Sequence, residues 1–317
     1  MKYANEKFLC YSVILLSIPS IIIGFMNALW GLLNLSFLGE IVIFLRGLFA
    51  PYGYISKLRS SGLSLEPSTY AGFLGLIVFP FGFLLWRYSK ILSALIILLA
   101  IVSFIWTFSL SGFILVAFMS ILGLIFFAGK RKLFFTFLLL TLIVFVIVVS
   151  VFSWSQVVRH LGSIFVGGAN ISLTDRLYST VGPFMQSFSS FVIVGYGIGG
   201  VGFHLDEILP KEAYFEIIRS GIRWKEFANL GTLVGRIYSE MGLIGLFLFS
   251  MIFFMAFRQL NMILKNAKNE KTFYQTAFVI LGGLFLTLAY LFGSYHNPYI
   301  WFWLSIIDKK YYEMFEK

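Results

Sequence analysis

Long, largely apolar runs, most of 15 to 23 residues, recur along this chain, and few folds can accommodate them. A chain that crosses a bilayer as a helix needs about 20 consecutive apolar residues to cover roughly 30 Å of hydrocarbon. A spanning β-strand would instead show about ten residues of alternating polarity. Candidate spans are Phe8–Trp30, Thr69–Trp86, Ile91–Phe108, Phe113–Phe127, Leu133–Phe152, a run from Asn229 to Phe257, Thr272–Leu291 and a short aromatic run at Pro298–Ile307. Composition agrees: 59% of the 317 residues are hydrophobic and 12% charged. A water-soluble globule of this size keeps a more polar surface than that. The mean hydropathy is +0.91. Disordered chains, coiled coils and disulfide scaffolds are excluded as well, since Cys10 is the single cysteine and lies in an apolar run.

The expected fold is therefore all-α: a polytopic integral membrane helical bundle of about 8–9 spans. One long extracytoplasmic loop would carry an amphipathic helix. The chain divides into N-terminal membrane helices (1–152), an extracytoplasmic region (153–228) and C-terminal membrane helices (229–317), acting as a single functional domain. The stretch Gly31–Ala50 is apolar but carries Glu40 and Arg46. Each charge would cost about 2.5–3.5 kcal/mol at a helix centre, so this stretch is expected to be interfacial or re-entrant. Lys2 and Lys7 before the first apolar run resemble a signal peptide, but the run is too long and no small-residue cleavage site follows, which favours an uncleaved first span.

Basic residues orient the bundle. Arg87 and Lys90, then Lys130, Arg131 and Lys132, then Arg258, Lys265, Lys268 and Lys271, and finally Lys309, Lys310 and Lys317 fall on one side, taken as cytoplasmic. The opposite side is richer in arginine: Arg46, Arg59, Arg159, Arg176, Arg219, Arg223 and Arg236 are seven of its ten basic residues. Lysine suffices for topology, whereas the planar guanidinium fork binds two oxygens of a phosphate or carboxylate at once. The outer arginines point either to an anionic ligand or to pairing with outer acids and lipid headgroups.

Several outer features bear on chemistry. Gly195-Tyr-Gly197-Ile-Gly199-Gly200-Val-Gly202 fits GxGxxG twice, but without a βαβ setting it does not indicate a dinucleotide site. It reads either as a tight turn whose backbone N–H groups face an anion or sugar, or as a plain surface turn. Lys211–Lys225 places Glu212, Glu216, Arg219 and Arg223 on one helical face, and Phe215, Ile218, Ile222 and Trp224 give it an apolar side, as in an amphipathic surface helix. The run from Asn229 would make a helix of about 43 Å, longer than the bilayer core, so that its first turns stand above the hydrocarbon or line a cavity. Arg236 and Glu240, four residues apart on it, can pair. Pro67 suits the first turn of the next span, which places Glu66 at the helix mouth, where the dipole favours a carboxylate. His160, His204 and His296 lack metal-ligand spacing, and no metal or cofactor is expected. There is no GxSxG, no P-loop and no solenoid repeat. Asn170-Ile-Ser172 matches a glycosylation sequon that is frequent by chance.

Four stretches in order resemble the O-antigen polymerase (Wzy) family, within the wider O-antigen polymerase/ligase superfamily. They are Arg59-x-x-Gly62-Leu-x-x-Glu66-Pro67-Ser68, Thr107-Phe-Ser109-x-Ser111-Gly112, Asp175-Arg176 ahead of Gly195-Tyr-Gly197-Ile-Gly199, and Glu240-x-Gly242-Leu-Ile-Gly245. The resemblance runs from about residue 55 to the C-terminus, and its specificity lies in the set and its order. It implies a bacterial inner-membrane glycosyltransferase with its active site on the extracytoplasmic side. Such an enzyme joins undecaprenyl-pyrophosphate-linked oligosaccharide repeat units into O-antigen, capsule or exopolysaccharide chains. The partners implied are that lipid-linked oligosaccharide, membrane lipids and a chain-length regulator, with no nucleic acid. On this reading Arg59, Arg176, Arg219, Arg223 and Arg236 hold the pyrophosphate, and Glu66, His204 or Glu240, with Asp206 a further candidate, takes the acceptor proton. O-antigen ligases share the glycine-rich turn and the Glu-x-Gly-Leu-Ile-Gly entry but usually carry a histidine about nine residues before that glutamate, where this chain has Gly231. The family also commonly has more spans before the Arg59 segment. A ligase transferring glycan to lipid A core, or a non-enzymatic flippase or transporter, is the alternative.

Overall fold

The computed structural model describes residues 6–49, 55–64, 66–126, 193–198, 233–266, 271–291 and 298–315. These residues form helices α1 (Glu6–Leu33), α2 (Ser36–Phe49), α3 (Pro67–Leu85), α4 (Lys90–Ile105), α5 (Leu110–Phe126), α6 (Leu233–Asn266), α7 (Lys271–Leu291) and α8 (Pro298–Phe315). No strand occurs among them. Among the described residues α1, α3 and α6 are each long and apolar enough to cross a membrane, and α4 and part of α7 are shorter apolar helices. The chain is thus a helical protein with membrane-spanning character. The candidate span Leu133–Phe152 and the amphipathic segment Lys211–Lys225 lie outside the described residues.

The chain divides into two compact units. The first comprises residues 1–148 and 262–283; the second comprises residues 149–261 and 284–317. In the first unit α1 packs against α2, α3 and α4, and α3 also packs against α4 and α5. Close approach depends on missing side chains. A Cβ on Gly24 of α1 would lie 2.1 Å from the Tyr70 hydroxyl, and one on Gly39 of α2 would lie 2.4 Å from the Trp30 ring. Tyr70 is fully buried and donates to the Ser20 carbonyl at 2.9 Å. Tyr70→Phe keeps the ring and leaves that interhelical bond unmade, so thermal unfolding in detergent should show a loss of about 1–2 kcal/mol.

Helix α3 is irregular for a local reason. Leu74–Val78 forms a π turn, in which the Phe79 N–H donates to the Leu74 carbonyl five residues back. Pro80 follows directly. Its ring has no N–H and collides with the carbonyl four residues earlier in a regular α-helix, and a widened turn relieves that collision. A cavity of about 90 Å³ lies beside it, lined by Gly75, Phe79, Pro80, Met119, Ser120 and Ile280 among others.

Helix α2 presents large apolar side chains outward. It follows Asn34, which adopts φ 57° and accepts a bond from Lys57 Nζ. Its inward residues are Leu38, Gly39, Val42 and Arg46, while Phe37, Ile41, Phe44 and Leu48 point outward. The outward side is mainly large and apolar, with Glu40 also exposed, and Arg46 is the one charged group among the inward residues, a pattern that suits a helix facing lipid. Its 14 residues reach about 21 Å, too short for an ordinary crossing, in keeping with the re-entrant or interfacial reading of Gly31–Ala50.

In the second unit, Phe253 of α6 packs against Phe249 and against Phe285 of α7, with Phe257 also against Phe285. Trp303 of α8 is completely buried, and Gln259 Nε2 donates to Asp308 Oδ1 at 3.1 Å. Helix α6 runs nine residues past Phe257, to Asn266, because Arg258 and Lys265 can continue a helix outside the hydrocarbon. Helix α8 likewise continues past Ile307 through Asp308, Lys309 and Lys310 to Phe315.

Candidate functional site at the break in helix α6

The long run from Asn229 does not form one continuous helix. Gly242 has φ 62° and ψ −157°, so α6 is two helices joined at a break. That backbone conformation is essentially restricted to glycine. A break orphans carbonyls of the preceding turn and amides of the following one, and these must find partners. The segment 193–198 supplies them. The Tyr196 N–H donates to the Ser239 carbonyl at 2.7 Å and the Gly197 N–H to the Glu240 carbonyl at 2.9 Å, while the Ile244 N–H donates to the Ile193 carbonyl at 3.3 Å. Two glycines make the approach possible from both sides. A Cβ on Gly195 (φ +68°) would sit 2.5 Å from the Glu240 carbonyl carbon, and one on Gly242 would sit 2.3 Å from the Ile193 oxygen.

This corrects one expectation. The amides of Tyr196 and Gly197 in the glycine-rich turn are bonded to the broken helix, so these two do not present themselves to an anion or sugar.

The turn before the break carries charge. Arg236 Nε donates to Glu240 Oε1 at 3.0 Å, the pairing their spacing allows. The Arg236 side chain is 11% exposed and that of Glu240 0%. Removing one member of a buried pair costs about 3–5 kcal/mol, because the other is left charged and unpartnered. Glu240 Oε2 and the neighbouring Ser239 Oγ are buried with no hydrogen-bond partner among the described residues. Most buried polar atoms have a partner, so an orphan carboxylate oxygen is an acceptor with unused capacity.

The break stands at one end of an uncharged run. Met241–Phe257 is uncharged and ends at Arg258. Beyond the break, Leu243–Phe257 is about 22 Å of helix, so the Arg236–Glu240 pair lies at the end of the uncharged run opposite Arg258.

The remaining candidates fall elsewhere. In the first unit Glu66 is the exposed residue preceding α3, with Pro67 at the first helical position, and its Oε2 accepts from Ser68 Oγ at 3.2 Å. Arg59 points at backbone: Nε donates to the Thr107 carbonyl at 3.0 Å and Nη2 to the Phe108 carbonyl at 3.4 Å. These bonds tie Arg59-x-x-Gly62 to Thr107-Phe-Ser109, two stretches on which the family resemblance rests. His204, Asp206, Arg176, Arg219 and Arg223 lie outside the described residues.

Arg46 has a role that the charge count did not reveal. It is 1% exposed, and its Nη1 donates to Ser61 Oγ and, at 2.6 Å, to the Gly62 carbonyl, while Nη2 donates to the Ser64 carbonyl at 3.0 Å. The loop it grips is held from other sides as well. Asn27 Nδ2 donates to the Ser56 carbonyl, Ser60 Oγ to the Gly24 carbonyl, the Leu63 N–H to Ser20 Oγ, and Trp106 Nε1 to the Lys57 carbonyl. A signal for Arg46 was present in the sequence. It shares a stripe with Leu38 and Val42 and has no acid three or four residues away, so its partners had to come from another segment.

No protein-family model, curated protein or solved structure matches the chain.

Proposed function

We propose that the chain is a membrane glycosyltransferase that polymerises oligosaccharide repeat units carried on undecaprenyl pyrophosphate, at the extracytoplasmic face of the bacterial inner membrane. The observation that carries this reading is the buried Glu240 carboxylate, with one oxygen held by Arg236 and the other without a partner among the described residues, at the end of an uncharged run that would place it near the membrane surface. A lipid-linked sugar presents its reacting atoms at that depth. Glu240 Oε2 takes the proton of the acceptor hydroxyl, and the acceptor oxygen bonds to the anomeric carbon of the donor. The bond from that carbon to the pyrophosphate oxygen breaks, and lipid pyrophosphate leaves with the electron pair. The proton then passes to water. Arg236 orients the base, while Arg176, Arg219 and Arg223 are the proposed grip on the leaving pyrophosphate, where donors fixed in a water-poor site act most strongly. Arg59, already committed to two carbonyls, holds the outer turns in register.

The test is direct. Purified protein supplied with a lipid-linked repeat unit should yield dimers and longer products. Glu240→Gln preserves volume and removes the base, so the rate should fall on the order of 10²-fold or more. Product formation by the variant at the parent rate would remove Glu240 from the chemistry. A ligase is the enzymatic alternative and would transfer the glycan to a lipid A core acceptor. A flippase is the non-enzymatic one, and transporters also use broken helices. Theirs bind near the midplane, however, whereas an uncharged run that begins at Met241 favours a break near the membrane surface.

A further inference from the structure

The turn 193–198 is held against α6 by three backbone hydrogen bonds, yet its aliphatic side chains point away from the protein. Ile193 and Val194 are each 63% exposed and Ile198 71% exposed. Three large aliphatic groups presented together on a six-residue turn have no place in water. Directly below them on α6, Leu243, Ile244, Phe247 and Leu248 are also exposed, followed by Met251, Phe254 and Met255. These belong to a membrane-spanning helix and form its lipid-facing side. The Ile244 N–H donates to the Ile193 carbonyl, so the turn continues that face upward without a gap. The uncharged run of α6 begins at Met241, which puts the turn at the level where acyl chains give way to headgroups.

We propose that Ile193, Val194 and Ile198 form a membrane-interface anchor, inserted among the lipids of the leaflet on the Leu233 side of α6. The occupant of this surface is lipid, because the patch prolongs a lipid-facing helix face and carries no charge. The anchor has a consequence for the site beside it. The backbone that carries these three side chains is the same backbone that bonds to Ser239 and Glu240, so bilayer depth is transmitted to the turn bearing the Arg236–Glu240 pair. Insertion of the turn is independent of the reaction catalysed.

The experiment places a nitroxide at Val194→Cys or Ile198→Cys in the full chain, reconstituted in phospholipid nanodiscs. Cys10 is buried and stays unlabelled, and labelling of the parent protein measures any background. Relaxation by oxygen, which concentrates in the bilayer, is compared with relaxation by a water-soluble nickel chelate. A label at Phe247→Cys serves as the lipid-facing reference. Oxygen relaxation exceeding nickel relaxation severalfold, close to the Phe247 value, is the expected result. Nickel dominance would place the turn in water and overturn the anchor. Low access to both reagents would mean that protein covers the turn, whether another segment or a second copy, and would overturn it equally. All three positions are exposed, so the labels do not disturb packing.

Discussion

Gly242→Ala is expected to release the turn 193–198 from α6. Its φ of 62° and ψ of −157° lie in a region that costs a residue with a Cβ about 1–3 kcal/mol. The new methyl would also meet the Ile193 carbonyl oxygen at 2.3 Å, and a backbone atom cannot swing aside as the tip of a side chain can. Together the two terms come to about 3 kcal/mol or more, comparable with three net hydrogen bonds. Undocking is the cheapest way to relieve them. Hydrogen exchange followed by mass spectrometry should show the Tyr196 and Gly197 amides exchanging about 100-fold faster, since each 1.4 kcal/mol is a factor of ten. Gly195→Ala should give the same phenotype, because its Cβ would strike the Glu240 backbone from the other side. The double variant should be little worse than either single one, as the contact can be lost only once. Parent-like protection in Gly242→Ala would show that the two segments are not held by this contact. If the Arg236–Glu240 pair is the reacting site, polymer yield falls in parallel with protection.

Arg46→Ala should be the most destabilising single change in the first unit. It removes a buried guanidinium that satisfies one hydroxyl and two carbonyls on residues 61–64, and those acceptors lie where water cannot replace it. A hydrogen bond to a charged group contributes about 1.5–3 kcal/mol, and an abandoned buried acceptor costs about 1–3 kcal/mol. Allowing for partial relaxation of Ser64, which is half-buried, the loss should be about 3–5 kcal/mol in thermal unfolding of the detergent-solubilised protein. Arg46→Lys retains charge but not the planar fork, and should recover no more than about half of that. Arg46→Met tests whether volume alone suffices; unfolding at the parent temperature in that variant would contradict the assignment. The effect should spread to the Arg59 segment, since Arg59 and Arg46 clamp the same loop from two sides.

Residues near one another in the chain were the ones whose structure could be read in advance. The apolar runs located α1, α3, α4, α5 and α7 to within a few residues, because a helix length follows from the thickness it must cross, whereas α6 ends nine residues beyond its expected end and is broken at Gly242. The Arg236–Glu240 pair and the place of Glu66 ahead of Pro67 were equally legible, being matters of one helical turn. The π turn before Pro80 was not anticipated, although its cause is local.

What escaped was set by contacts between distant segments. Glycines at 195 and 242 signal conformational freedom in the sequence, but not that each exists to admit the other's backbone. Arg46 counted as one of several outer cations, and its burial emerges only when α2 is laid on α1 with residues 61–64 beside it. Arg59 reads as a phosphate ligand in the sequence, and its bonds to the Thr107 and Phe108 carbonyls depend on a contact between distant segments. Hydrophobic run length and helical spacing act along the chain and are written into it. Which donor meets which acceptor depends on how helices pack, and a guanidinium bonds to carbonyl and phosphate oxygens with the same geometry, so residue type alone could not choose between them.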